Sequence, residues 1–525
     1  MSLSLKVPAL SEKPLIVAET RTHKIADFIN RLPVGNLLDT ASTLFEELEI
    51  LNRQKVACDD RLRALEIYRP TVISLSEQLA AHYNMAQLPL PEKAKLHASA
   101  AESLWLELSY GYKLALLDKQ KKLFNLGGEK STALMLQRAM EAMRELAMVY
   151  HKTYFSLPNS VWADLNQLYL YAAQQSLHEV SVTTDADHSS TISLTYKQAL
   201  LMALADPQRL ASVDIQRTAD YIQRHGHHAH LLGLGLVENP AGVFMLSLNT
   251  DTPPIPYTKN KKEGDAKHDI FLITVDLARL IHKHIHALRS QSPEFKDHLP
   301  SDADEPRYAD LLTYLIKQWS DSPKRVFDRT RKNDSVEIAI GIPAAHHFFH
   351  DEKSNLTGDH ADADDEIVIK EYPTAMPQSI TSSRWIVLNL SAGGVALRKP
   401  PNIRENLRVG GLVCMRESHA KHWSVGVVRW AANNEEQQID IGTQLIAPTA
   451  KAIKLRKPAQ EQFEKALILP GIAVLKQAIS IIAPIGSYSP AGQLELDDAG
   501  KVSRIIITKL IERTNSFEHF NFSYL

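Results

Sequence analysis

The chain reads as an α+β multidomain protein, an all-α helical bundle or solenoid first and β-rich structure last. Three observations predict this. From about residue 25 to 220, apolar side chains recur at helical spacing, as in Leu37, Leu38, Ala41, Leu44, Phe45, Leu48 and Leu51. In the C-terminal half the apolar runs shorten to strand length, as in Val336 to Ile340 and Trp385 to Leu388. The length of 525 residues is ample for two to four domains.

Taken in order, residues 1–24 are punctuated by Pro8 and Pro14 and form an irregular or extended leader. The helical domain, 25–220, continues through Leu104 and Leu108, Leu114 to Leu117, then Leu134, Leu136, Met140, Met148 and Tyr150. Pro70, Pro89-Leu90-Pro91, Gly127-Gly128, Pro158 and Pro207 fall between these runs, as helix breaks should. Helices of about fifteen to thirty residues fit an antiparallel bundle or a loose solenoid. No repeat of fixed period supports a named repeat family. Trp105, Tyr110, Tyr112 and Trp162 read as core. The texture changes at 225–300, where Gly233 to Val237, Val243 to Leu248 and Ile270 to Val275 look like strands and Leu277 to Leu288 like a closing helix. A linking helix at 306–322 follows, and the segment from 451 to 525 is β-rich.

Composition excludes several classes. Hydrophobic residues make up 44% and charged residues 23%, ordinary for a soluble globular chain. A net charge of −2 gives no global pull towards DNA, RNA or an anionic membrane surface. Two cysteines far apart, Cys58 and Cys414, favour reduced thiols in the cytoplasm over a disulfide framework. No apolar run reaches the roughly 18 residues of a membrane span, and the first residues lack a signal-peptide pattern.

Two short motifs carry the chemistry. Asn389-Leu390-Ser391-Ala392-Gly393-Gly394 is a turn between two apolar strands. It offers a side-chain amide, a hydroxyl and backbone N–H groups to a purine edge or a phosphate oxygen. Upstream, Arg325-Val326-Phe327-Asp328-Arg329 sets two arginines four residues apart ahead of the strand Val336 to Gly341. A guanidinium can grip a phosphate or guanine bidentately and can stack on a purine face.

Together the motifs resemble the bacterial PilZ domain, a small β-barrel that binds cyclic di-GMP through Arg-x-x-x-Arg and (Asp/Asn)-x-Ser-x-x-Gly. The likeness covers about 323–450, with Trp423 to Trp430 and Ile439 to Leu445 resembling later strands. It implies that Arg325, Arg329, Asn389, Ser391 and Gly394 contact cyclic di-GMP, with Arg331 and Lys332 open to share or replace the arginine contacts. The fold expected is therefore a PilZ-like barrel with a β-rich extension, and 225–300 is either a small α/β module or a degenerate barrel. About sixty residues separate Arg329 from Asn389, more than such a barrel needs. The excess, an acidic and polar stretch at 351–366, reads as an inserted loop.

Histidines cluster at His225, His227, His228 and His230, at His282, His284 and His286, and at His346, His347 and His350. None of the clusters has the spacing of a metalloenzyme motif, and no nucleophile elbow or phosphate-binding Gly-rich loop is present. The expectation is a cytoplasmic cyclic di-GMP receptor, not an enzyme, without cofactor or metal. It would signal to an unidentified protein partner through its helical region. The alternative is a PilZ-like scaffold that has lost nucleotide binding and acts by protein contacts alone.

Overall fold

We describe the protein from a computed structural model. The structure describes all residues except 1–2, 34, 86, 122–127, 184–188, 259–263, 291–298, 321–333, 357–380, 392, 402–405, 419, 435–437, 459 and 472–476. The chain divides into two compact units, 1–86 with 90–324, and 325–525 with 87–89.

The first unit is built on helices α1 (Thr22–Ile29), α2 (Leu37–Asn52), α3 (Cys58–Ala80), α4 (Glu92–Lys121), α5 (Glu129–Thr153) and α6 (Val161–Gln174). A two-stranded ribbon, β1 (Val182–Thr183) with β2 (Ser189–Ser190), leads to α7 (Ile192–Leu204) and α8 (Ser212–His225). Starts are set by local chemistry: Asn36 caps α2 through the Leu38 N–H and Thr191 caps α7 through the Leu194 N–H. Helix α4 packs against α2, α3 and α5, burying Ala101, Leu104, Leu108, Tyr112 and Ala115.

Pro70 does not break the chain as its type suggests; α3 runs through it. A helix-interior proline forfeits one hydrogen bond and crowds the preceding turn. Here the burial of Ala64, Leu65 and Tyr68 before it and Val72, Leu75 and Leu79 after it outweighs that cost. The leader is extended and anchored. Its Lys6 N–H donates to Asp164 Oδ1 at 3.1 Å, and Lys113 Nζ pairs with Asp164 Oδ2 at 2.8 Å, both side chains buried.

After α8, strands β3 (His230–Gly233), β4 (Val243–Ser247), β5 (Ile255–Pro256) and β6 (Asp269–Ile273) form an open sheet in the order β3-β6-β4-β5. Helices α9 (Val275–Ser290) and α10 (Pro306–Ser320) follow and pack on each other. Among the described residues, 225–300 therefore hold an open sheet and not the degenerate barrel considered for this segment. Edge strand β5 is two residues long and ends at Pro256, which has no N–H with which to extend the sheet.

The second unit holds two closed barrels. The first comprises β7 (Ser335–Ile340), β8 (Ser383–Ser391), β9 (Gly394–Lys399), β10 (Leu412–Glu417), β11 (Ser424–Asn433) and β12 (Ile439–Ala447). The second comprises β13 (Lys451–Arg456), β14 (Glu464–Leu469), β15 (Ser480–Ala483), β16 (Gln493–Asp498), β17 (Lys501–Arg513) and β18 (Glu518–Tyr524). If the strands of each barrel are numbered one to six in sequence, both rings run 1-2-3-6-5-4, antiparallel throughout. The β-rich extension is thus a complete barrel with the connectivity of its neighbour.

Between β7 and β8 lies α11 (Gly341–Leu356), so the segment read as an acidic inserted loop begins inside a helix. Gly341, at φ 84°, turns the chain out of β7, and Pro343 suits the first turn of a helix. Ile342, Ala345 and Phe349 then lie on one stripe and are buried. The stripe packs on β10, β13 and β14, joining a core that includes Leu412, Cys414 and Trp423 of the first barrel and Leu467, Leu469 and Ile482 of the second. Residues 357–380 of the insertion lie outside the described part of the chain.

Candidate functional site

The Asn-x-Ser-x-x-Gly motif forms the end of the β8–β9 hairpin. Strand β8 alternates in the usual way up to Val387, with Trp385 and Val387 inward and Arg384 and Ile386 outward. Leu388 is then an extra residue opposite β9, since Val387 pairs with Leu397 but Asn389 pairs with Ala396. Such a bulge re-aims the residues beyond it. Asn389 consequently sits in register with Ala396 on the outer face, while its neighbour Leu390 pairs with Val395.

The half-buried Asn389 amide has no hydrogen-bond partner among the described residues. An amide left open to solvent on a barrel surface can give and take a hydrogen bond simultaneously, which suits the edge of a purine. Ser391 pairs with Gly394 and donates from its hydroxyl to the Gly394 carbonyl at 3.1 Å. That bond pins the hairpin and leaves the serine oxygen able to accept.

Gly394 has a packing reason for being glycine. A Cβ there would lie 1.9 Å from the backbone oxygen of Thr443 on β12. The motif glycine thus lets two backbones approach, whatever else it serves.

Arginine side chains of the first barrel already have partners. Arg398 grips Asp440 with both ends of its fork, Nε to Oδ1 at 2.7 Å and Nη2 to Oδ2 at 2.8 Å. Arg416 meets Glu337 Oε2 at 2.6 Å and lies over the Trp423 ring, 4.7 Å from its centre. Burial raises the Glu337 pKa, but hydrogen bonds from Ser382 and Arg416, with the Arg416 charge, outweigh that and hold the carboxyl below its ordinary value. Arg429 reaches Gln444 Oε1 at 2.7 Å and pairs with Glu512 of the second barrel, Nη2 to Oε2 at 2.9 Å. Arg384 is exposed on the outer face of β8. Arg325, Arg329 and Arg331 lie outside the described residues.

Motif reading alone did not find one feature of this face. Trp430 pairs with Gly442, Gly442 with Ala396, and Ala396 with Asn389, so the four residues form one cross-strand row. The Trp430 ring lies directly over Gly442, close enough that a Cβ on that glycine would be 1.7 Å from the indole nitrogen. The sequence signal was an aromatic and a glycine at outward positions of adjacent strands, which only the register could bring together.

The histidine clusters are scattered in role. His225 and His284 are buried against Tyr221, whose hydroxyl lies 2.9 Å from His284 Nδ1. His230 pairs with Asp276 on the surface. Burial first, then the Lys465, His350 and Lys454 charges, push the His346 pKa down to about 4. Among the described residues no group of three His, Cys, Asp or Glu side chains is placed to hold a metal ion, and no helix is long and apolar enough to cross a membrane.

Three family models match the chain in succession: the N-terminal domain of the cyclic-di-GMP receptor FimW at 23–235, its middle PilZ domain at 243–367 and 360–452, and the FimW C-terminal β-barrel domain at 449–525. The chain belongs to the FimW family. The cyclic-di-GMP receptor FimW of Pseudomonas aeruginosa is 24% identical over 574 aligned positions, which cover 99% of this chain and 93% of the relative. No solved structure matches. The C-terminal family model coincides with β13–β18, so the second barrel is a family feature and not an appendage. The middle model begins at 243, and so takes in most of the open sheet with α9 and α10 as well as the first barrel.

Proposed function

We propose that this chain is a cytoplasmic cyclic di-GMP receptor of the FimW type, and that its helical region passes the signal to a protein partner. The ligand would lie on the outer face of the first barrel. Asn389 would read a guanine edge, Ser391 would accept from or donate to the ligand, and Arg325 and Arg329, with Arg331 in reserve, would close on phosphate or guanine from the preceding segment. Clustered guanidinium groups suit a ligand that carries two phosphodiesters and two purines. The observation that carries the reading is the Asn389 amide, held on an outward register position by a bulge and satisfied by no described residue.

The test is a calorimetric titration of the full chain with cyclic di-GMP, with GTP and cyclic di-AMP as controls. Saturable heat with cyclic di-GMP alone, strongly reduced in Arg329→Ala, is the expected result. Absence of heat and of any thermal shift in the unaltered chain would overturn the receptor reading. It would favour a protein-contact scaffold, an alternative for which one observation speaks: Arg398 and Arg429 are already held by Asp440 and Glu512.

A further inference from the structure

We infer that a second copy of this chain pairs with the first along strand β3, joining the two open sheets about a two-fold axis at Leu234. Strand β3 ends the order β3-β6-β4-β5, and no described strand lies on its other side. The unpaired N–H and C=O groups of such an edge are a template for another extended strand. The opposite edge is blunted by the two-residue β5 and Pro256, whereas residues 229–239 contain neither Lys nor Pro. Leu232 is instead 53% exposed and Leu236 98%. Side chains at Gly233 and Gly235 would meet nothing within 4 Å, so the edge is open to approach.

What selects a second copy as the occupant is the sequence. Leu231-Leu232-Gly233-Leu234-Gly235-Leu236-Val237 reads almost the same in either direction from Leu234. Two identical antiparallel strands with their axis at that residue set each position against its mirror image in the run. Leu232 then faces Leu236 of the partner subunit, with glycine against glycine inside that pair and leucine against valine outside it. No charged residue lies within 231–237, so no like charges meet across the ladder. One step further out, His230 faces Glu238 of the partner subunit. His230 uses Nε2 on Asp276, which leaves Nδ1 for a second carboxylate, and Glu238 makes no hydrogen bond or ion pair among the described residues. In an extended strand Leu232, Leu234 and Leu236 share one face. Pairing therefore gathers these leucines of both copies on one side of the joined sheet. Residues 234–238 lie beyond β3 in the single chain and would become strand on pairing. A ladder of about nine residues that must also order this segment makes a small, weak interface.

The test is sedimentation of the full chain, without nucleotide, from low to high micromolar concentration. The unaltered chain should pass from monomer to dimer. Leu232→Lys and Leu236→Glu change exposed positions and should fold as the parent does, which circular dichroism checks. Each alone should weaken dimerisation more than about tenfold, because each sets an unpaired charge against a leucine in the ladder. Mixing the two variants should restore a dimer made of one copy of each. In that dimer the introduced ammonium meets the introduced carboxylate, and the other pair is still leucine on leucine. A chain that stays monomeric throughout overturns the proposal, as does a dimer that neither variant weakens. Loss in both variants without recovery on mixing overturns the register about Leu234, and with it the proposal. Species larger than a dimer would mean an open head-to-tail contact and would overturn it equally. The receptor reading is independent of every one of these results, since no ligand enters the experiment.

Discussion

Two residues of one motif should fail in opposite ways when replaced by alanine. At Gly394 the added Cβ would meet Thr443 O at 1.9 Å and Gln444 Cα at 3.1 Å. Ordinary contact starts near 3.5 Å, so β9 and β12 would have to separate locally by roughly 1.5 Å. The row affected pairs Gly394 with Gln444 and its neighbour Val395 with Thr443. Losing about two ladder hydrogen bonds at roughly 0.5–1.5 kcal/mol each, together with overpacking of about 1–3 kcal/mol, gives a loss of roughly 2–6 kcal/mol for Gly394→Ala. Asn389→Ala removes an amide with no described partner, so stability should stay within about 0.5 kcal/mol. Its ligand affinity should nevertheless fall by about 1–3 kcal/mol, the discrimination carried by a bidentate amide–base contact. Urea unfolding followed by near-ultraviolet circular dichroism measures the first effect, and calorimetry measures the second. If Gly394→Ala unfolds at the same urea concentration as the parent and only loses ligand, the packing account of this glycine is wrong.

Phe349→Ala should cost about 3–5 kcal/mol and loosen both barrels together, because Phe349 lies in the core shared by β10 and β14; faster amide exchange in one barrel alone would contradict this. Asp164→Ala leaves the Lys113 ammonium buried without its partner and frees the Lys6 N–H, so a loss of about 3–5 kcal/mol and quicker proteolysis of the leader are expected. The second unit should be acid-sensitive. His346 and His519 are held neutral down to about pH 4, chiefly by burial, whereas an unfolded histidine takes its proton near 6.5. The unfolded state thus binds more protons between those values, and stability should fall as pH drops from about 6.5 to 4. Thermal melts of a His346→Leu, His519→Gln double variant should show a flatter profile over that window; an unchanged slope would exclude these histidines as its source.

What the sequence made legible was local. Asn389, Ser391 and Gly394 could be read as a hairpin end because turn residues act through their own backbone. The helices were readable for a similar reason, since their apolar stripes repeat within a few residues. Pro70 misled because its local cost is smaller than the burial of the helix it interrupts, a quantity fixed by distant partners. Helix α11 was missed because its buried stripe faces the second barrel, whose existence had not been foreseen. That barrel was itself written in the sequence as six pairs spaced by two, Ile453/Leu455, Ala466/Ile468, Ile481/Ala483, Leu494/Leu496, Ile505/Ile507 and Phe520/Phe522, which line its core. Alternation reveals strands but not their order around a ring, and closure depends on that order. The Trp430–Asn389 row was hidden for the same reason, being a product of register across four strands.

The two barrels share a connectivity yet use the same hairpin differently, and this bears on how many sites the chain has. In the first barrel the hairpin of strands two and three carries Asn389 and Ser391 on its outer face. In the second, the equivalent strands β14 and β15 carry Leu467, Leu469 and Ile482, buried in the core that joins the barrels. Its connecting segment, residues 470–479, contains no Asn, Asp, Ser or Thr. A face buried in this way has no room for a dinucleotide. The expected outcome is a single ligand site per chain, so that Asn389→Ala combined with Arg329→Ala should remove all saturable cyclic di-GMP heat. A residual saturable phase in that double variant would mean that a second site exists elsewhere, and that the apolar hairpin of the second barrel is not evidence of a lost one.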